Sequence, residues 1–262
     1  MSERTSLFDL TGKTALVTGG NGGLGLGYAT GMAKQGASIV IWGRNADKNR
    51  AAEARLREAG APRVLTQVVD VTDEQSVKDA FAEAVATMGG RIDCVVSNAG
   101  HGSAYPVFSE IPTDAWNKML AVHLTGGFFV MREAAGHMRQ RVLAGGAGGS
   151  IMICGSLSSL GGAPGLAPYA SAKSGLLGLM RSAAAELAPL GIRVNLVAPG
   201  FIKTDIADDP ELIAQMIEMT PMRRVGQTAD LEAIAAYLAS DAASFHTGDV
   251  ITIDGGAMAT LM

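Results

Sequence analysis

Tyr169 and Lys173 stand four residues apart in the stretch APYASAKSG (167–175). On a helix, positions i and i+4 share a face, so the phenol and the ammonium would be neighbours. No charged side chain occurs between Val142 and Ala172, which makes the arrival of Lys173 conspicuous. A free phenol has a pKa of about 10 and is a poor base at neutral pH. A cation within reach stabilises the phenolate, more so where solvent is limited, and gives a usable proton donor or acceptor. An exposed, unreactive Tyr-x-x-x-Lys pair is the ordinary alternative, and the rest of the chain has to decide between them.

A second set of residues is suited to holding a phosphate. The stretch TGGNGGLG (18–25) carries Gly19, Asn21, Gly23, Leu24 and Gly25 straight after an apolar strand-like run and before an apolar helical pattern. Residues without Cβ let backbone N–H groups face a phosphate at a helix N-terminus. Strand, glycine turn and helix together read as the first unit of a dinucleotide-binding fold. The second strand ends IWGRN (41–45), with Gly43 and Arg44 where an acidic residue would hold the ribose diol of NAD. An arginine there can pair with a 2′-phosphate, which favours NADP(H) and leaves NAD(H) as the alternative.

Seven short β-branched runs supply the strands that would position these groups: 14–18, 38–42, 64–70, 92–97, 150–154, 192–198 and 250–254. Most are nearly continuously apolar, as strands covered on both faces are. Amphipathic patterns at 24–35, 46–59, 73–88, 113–143 (two merging helices), 169–188 and 228–240 lie between them. The alternation predicts βαβ units, a parallel sheet with helices on both faces, and one domain over 1–262. The segment Thr204–Arg224 breaks the pattern and reads as a lid over a binding site.

Composition narrows the class. The 262 residues are 48% hydrophobic and 18% charged, enough to bury a large core. A net charge of -4 and no long basic cluster argue against nucleic-acid binding. The opening MSERTSLFDL has no apolar core for a signal peptide, and glycines and two prolines interrupt the neutral run before a membrane helix could form. Cys94 and Cys154 sit in apolar runs and are expected as buried thiols in a reducing, cytoplasmic compartment. His101, His123, His137 and His246 show no ligand spacing, so no catalytic metal is expected.

Taken in order, these motifs resemble the short-chain dehydrogenase/reductase family over almost the whole chain. TGGNGGLG matches its TGxxxGxG turn, DVTD (70–73) its adenine-contacting stretch, and SNAG (97–100) its NNAG motif with Ser97 at the first position. YASAK is similar to its YxxxK signature, APG with KTD to its PG…T, and DGG (254–256) to the close of its last strand. The resemblance implies a Rossmann-type doubly wound α/β sheet and an oxidoreductase interconverting a ketone and a secondary alcohol. Tyr169 would be the general acid/base and Lys173 its tuner and a ribose ligand. Ser156, thirteen residues before Tyr169, would polarise the carbonyl, with Ser158 and Ser159 out of register.

Cofactor contacts implied in the same way are Asp70, Val71, Asn98, Ala99, Gly100, Pro199, Gly200, Ile202 and Thr204. His101, Tyr105, Leu157, Leu160, Met216 and Met219 are candidate pocket walls, suited to a moderately apolar substrate. A homotetramer is the usual family assembly, and the apolar tail AMATLM (257–262) is compatible with it. One position departs from the pattern: VHLTGG places His123 where the family has an asparagine that supports a relay water. His123 is therefore a fourth catalytic candidate, able to titrate near neutral pH, or else a side chain that only packs. It is also the one feature favouring a different class of protein, a nucleotide-binding regulator without turnover.

Overall fold

Seven parallel strands form one sheet in the order β3-β2-β1-β4-β5-β6-β7. They are β1 Thr14–Thr18, β2 Ser38–Trp42, β3 Val64–Gln67, β4 Cys94–Ser97, β5 Ser150–Cys154, β6 Arg193–Pro199 and β7 Val250–Ile253. The computed structural model describes residues 6–204 and 208–260. Three residues of the expected lid (205–207), the last two of the apolar tail (261–262) and the first five of the chain lie outside the described residues.

Every residue of β1, β4 and β5 is buried, which is why these runs lack the alternation of a half-exposed strand. Helices α1 Gly23–Ala33, α2 Ala46–Glu58 and α8 Glu232–Ala239 cover one face. Tyr28, Met32, Leu56 and Leu238 fill the core beneath them. Helices α3 Glu74–Thr87, α5 Gly126–Leu143 and α6 Ala167–Leu187 cover the other, over Phe81, Val130, Met138, Leu176 and Met180. Chain order reverses between β1 and β4, and a sheet wound this way opens a crevice at the carboxyl ends of its strands at that switch.

The structure redraws several expected boundaries. The third strand stops at Gln67 instead of 70, because Asp70 turns the chain by accepting the N–H and hydroxyl of Thr72 at 2.9 and 2.8 Å. The merged pattern at 113–143 resolves into α4 Thr113–Leu120 and α5, joined through a π-helical turn at Ala121–Thr125. Helix α6 starts two residues before Tyr169, with Pro168 in its first turn where no N–H is needed. The excursion after Thr204 is not irregular throughout. It contains α7 Pro210–Met219, started by Pro210 and by the Asp209 carboxylate accepting the Glu211 N–H at 3.0 Å. Among the described residues no helix is long and apolar enough to cross a membrane.

Candidate active site

The first turn of α6 carries Tyr169, half-buried, and one turn on it carries Lys173, 4% exposed. The Lys173 ammonium lies 5.7 Å from the centroid of the Tyr169 ring. One of its protons goes to the Cys154 carbonyl at 2.6 Å, so the end of β5 fixes where the charge sits. The helical spacing thus brings cation and phenol together as the sequence implies, and burial keeps water from screening the charge.

Ser156 follows β5 by two residues and caps a short 3-10 turn at Leu157–Ser159. Its oxygen accepts the Ser158 N–H at 3.1 Å, which leaves its own proton free to donate. Ser159 is buried and engaged structurally: its hydroxyl accepts the Ser156 N–H at 3.2 Å, and its carbonyl accepts the Ser174 hydroxyl at 3.2 Å. That last bond ties the Ser156 turn to α6.

The glycine turn has the shape of a phosphate cradle. Gly19 has φ +63°, and a Cβ there would lie 2.9 Å from Nδ2 of Asn98. At Gly25 a Cβ would meet the Gly19 carbonyl oxygen at 2.2 Å, so the helix can start this close to β1 only without one. Among the described residues no side chain caps the N-terminus of α1. Its free N–H groups and the helix dipole suit the pyrophosphate of a dinucleotide. Across the switch point, the Thr18 hydroxyl accepts the N–H groups of Asn98 and Ala99, both at 2.9 Å. Asn98 returns a bond to the Thr18 carbonyl at 2.9 Å, locking the turn after β4 to the glycine turn.

At the adenosine end, Arg44 is exposed, and its charge helps hold the Asp70 carboxyl below the usual range, after the Thr72 hydrogen bond. Asn21 and Asn49 crowd Gly43, where a Cβ would come within 2.1 Å of Asn21 Nδ2, so a side chain there would have to displace an asparagine. The Val71 side chain is buried in the core, leaving its backbone for a ligand. Leu24 is half-buried behind the turn.

At the nicotinamide end, Pro199 closes β6, and the Gly200 N–H is bonded to the Ile253 carbonyl at 3.0 Å. Ile202 forms a parallel bridge to Gly226 through its neighbours: Lys203 N–H donates to Gly226 at 2.9 Å, and Gly226 N–H donates to Phe201 at 2.9 Å. The N–H and C=O of Ile202 itself point away from that bridge and are available for an amide. Thr204 lies against the glycine turn, 3.4 Å from where a Gly23 Cβ would be.

The loop after β4 carries His101 and Tyr105, and the Tyr105 N–H donates to the Gly165 carbonyl at 2.7 Å. That bond joins it to the loop bearing Leu157 and Leu160, the latter 40% exposed. Met216 is half-buried on α7 and Met219 is 63% exposed. His123 is 4% exposed, with Nε2 2.8 Å from the His101 carbonyl oxygen and its ring edge-on to Tyr169 at 5.2 Å. Burial first, then the Lys173 charge, pushes its pKa down to about 3. The expectation of titration near neutral pH is therefore corrected: the folded protein holds this imidazole neutral.

Between about pH 6.5 and the folded value the unfolded chain binds a proton that the folded chain refuses, so stability falls as pH falls. Over that window the wild type should lose up to about 1.4 kcal/mol per pH unit more than His123→Asn. Urea midpoints of the two proteins from pH 7 to pH 4 measure it, and parallel curves would place a charged imidazole in the folded state.

Sequence reasoning assigned no site role to the Thr18 hydroxyl or the Cys154 carbonyl. A strand-end hydroxyl beside the glycine turn was a signal for Thr18. Cys154 acts through its carbonyl, for which side-chain identity carries no signal. Both cysteines are buried free thiols, and burial raises that of Cys94 to about 12.

A family profile described as Enoyl-(Acyl carrier protein) reductase matches residues 19–258. The structure is similar to that of a short-chain type dehydrogenase/reductase from Mycobacterium marinum, with TM-score 0.89 and 32% identity over 98% of each chain. The chain belongs to the short-chain dehydrogenase/reductase family. It is 35% identical to gluconate 5-dehydrogenase of Gluconobacter oxydans (strain 621H), over 97% of this chain and 98% of that one. It is 37% identical to L-rhamnose 1-dehydrogenase (NAD(P)(+)) of Sphingomonas sp. (strain SKA58), over 94% and 96% of the two chains. Family members of this kind are oxidoreductases acting on alcohols and ketones, and so is this protein.

Proposed function

We propose that this enzyme is an NADP(H)-preferring reductase/dehydrogenase of neutral ketones and secondary alcohols, with Tyr169 as its general acid/base. The observation that carries this reading is the buried Lys173 ammonium 5.7 Å from the Tyr169 ring, held by the Cys154 carbonyl. When bound, the dinucleotide exchanges a hydride with the substrate carbon. Ser156 donates its free proton as a hydrogen bond to the carbonyl oxygen. Tyr169 delivers the proton in reduction and removes it in oxidation. Lys173 stabilises negative charge on the phenol oxygen and offers its remaining N–H donors to the ribose.

Preference for the 2′-phosphate rests on Arg44, exposed at the end of β2 beside a position crowded by two asparagines. Arg44→Ala should raise the NADPH dissociation constant about tenfold, a charge-assisted contact discounted for solvent exposure. NADH binding should change little. Fluorescence titrations measure both, and equal losses would remove the 2′-phosphate role. The two loops joined at Tyr105 and Gly165, residues 101–112 and 155–168, hold no lysine or arginine. A sugar acid or an acyl-carrier substrate would find no cation there, which favours an uncharged carbonyl compound.

Exposed Trp116 on α4 and Phe128 on α5 support assembly into a homotetramer through these helices. The two buried thiols support a reducing, cytoplasmic location. A spectrophotometric screen of ketones and secondary alcohols with both dinucleotides, controlled by Tyr169→Phe, tests the function. Tyrosine-dependent turnover supports it; silence across the panel, with tight dinucleotide binding, would favour the binding-only regulator.

A further inference from the structure

Helix α2 buries Asn49, Ala52 and Leu56, a stripe at i, i+3 and i+7 that faces the sheet. The first of them is an amide, 2% exposed, at a position where an aliphatic side chain would satisfy the packing. Its Nδ2 donates to the Gly43 and Gln67 carbonyls, both at 3.0 Å. The β2–β3 ladder ends at the pair Trp42 and Gln67, so Asn49 joins the two strands where they part. Carbonyls only accept, which assigns the nitrogen and the oxygen of this side chain. Its Oδ1 then accepts Nδ2 of Asn21 at 2.7 Å, and that bond fixes which way the Asn21 amide faces as well.

Asn21 lies half-buried in the glycine turn. One of its amide protons is spent on Asn49, while the other proton and Oδ1 have no partner among the described residues. A Cβ on Gly43 would meet Asn21 Nδ2 at 2.1 Å and Asn49 Oδ1 at 2.5 Å. The bridged amides therefore stand where a side chain at 43 would begin, at the strand end from which an acidic residue holds the ribose diol of NAD. An amide offers what a carboxylate does not. It has an N–H for a 2′-phosphate, a C=O for a 2′-hydroxyl, and no charge to repel the phosphate.

We infer that Asn49 is a positioning residue for the adenosine 2′ position. It clamps the ends of β2 and β3 to the glycine turn and holds the Asn21 amide ready for either 2′-substituent. Arg44 supplies the preference between the two dinucleotides, and the asparagine pair supplies affinity common to both. The inference rests on the dinucleotide-binding reading, which the same titrations test separately.

The experiment is a set of calorimetric titrations with NADP⁺, NAD⁺ and an NAD⁺ analogue lacking the adenosine 2′-hydroxyl. Asn21→Ala should weaken NADP⁺ and NAD⁺ about five- to tenfold each, the loss of one hydrogen bond, and leave the 2′-deoxy analogue within about twofold of wild type. Asn49→Leu keeps the size of the side chain and the apolar stripe. It should reproduce that pattern and also lower the urea midpoint, because two strand-end carbonyls lose a donor. Asn21→Ala removes no donor from those carbonyls and covers the case in which the leucine variant does not fold. Arg44→Ala should weaken NADP⁺ alone.

Dependence on the 2′-substituent is what a merely structural role would not produce. Equal losses on all three dinucleotides would mean that the pair only shapes the glycine turn, and wild-type affinities in either folded variant would take that residue out of the site. Either result overturns the inference. A wild type that binds none of the three overturns the dinucleotide reading itself.

Discussion

Tyr169→Phe should lower kcat by about 10²–10⁴-fold, the usual contribution of a positioned general acid/base, while dinucleotide affinity stays near wild type. The substitution removes one oxygen. Among the described residues no hydrogen bond engages the Tyr169 hydroxyl, so its loss orphans nothing. The phenyl ring keeps its contact with His123 at 5.2 Å and with Lys173 at 5.7 Å, and the start of α6 is held by the Ala170 N–H to the Leu166 carbonyl at 2.7 Å. Stability and the phosphate cradle should therefore survive. The check is kcat on the best ketone of the screen, with NADPH titrated by fluorescence. Turnover near the wild-type rate would remove tyrosine from the mechanism, and a parallel loss of NADPH binding would reveal a structural defect instead.

The fold was legible because its strands are short, apolar and regularly separated by helices, a pattern that βαβ units around a parallel sheet satisfy. The site was legible wherever a side chain had to be of one kind at one spacing: Gly19 with a positive φ, Gly25 against a carbonyl, Lys173 one turn after Tyr169. It was not legible where the backbone acts. The Cys154 carbonyl that anchors Lys173, and the free N–H and C=O of Ile202, depend on register and on a bridge to Gly226 far along the chain. His123 shows a third case. Its departure from the family pattern was visible in the sequence, but its neutrality comes from burial and from Lys173, and both require the folded chain. The helix within the excursion after Thr204 was missed because Asp-Asp-Pro reads as a loop, whereas Asp209 and Pro210 are a cap and a first-turn proline.

Lys173→Met should separate the tuning of the tyrosine from the binding of the ribose. Methionine approximates the length of the side chain and removes the charge. Burying an ammonium costs solvation, while leaving the Cys154 carbonyl without its donor costs about 1–3 kcal/mol, so the two effects oppose and the melting temperature should move little. The catalytic loss should be about 10²-fold or more, because the phenol loses the cation that stabilises its charged form. If lysine acts through tyrosine, the double variant Tyr169→Phe, Lys173→Met should be no slower than Tyr169→Phe alone, since residues acting as a unit are not additive. Dinucleotide affinity should behave differently: weakened by Lys173→Met, unaffected by Tyr169→Phe, and in the double variant equal to the lysine variant. Measuring kcat and the NADP⁺ dissociation constant across the four proteins decides it. Multiplying losses in kcat would mean that Lys173 acts on the substrate without passing through Tyr169.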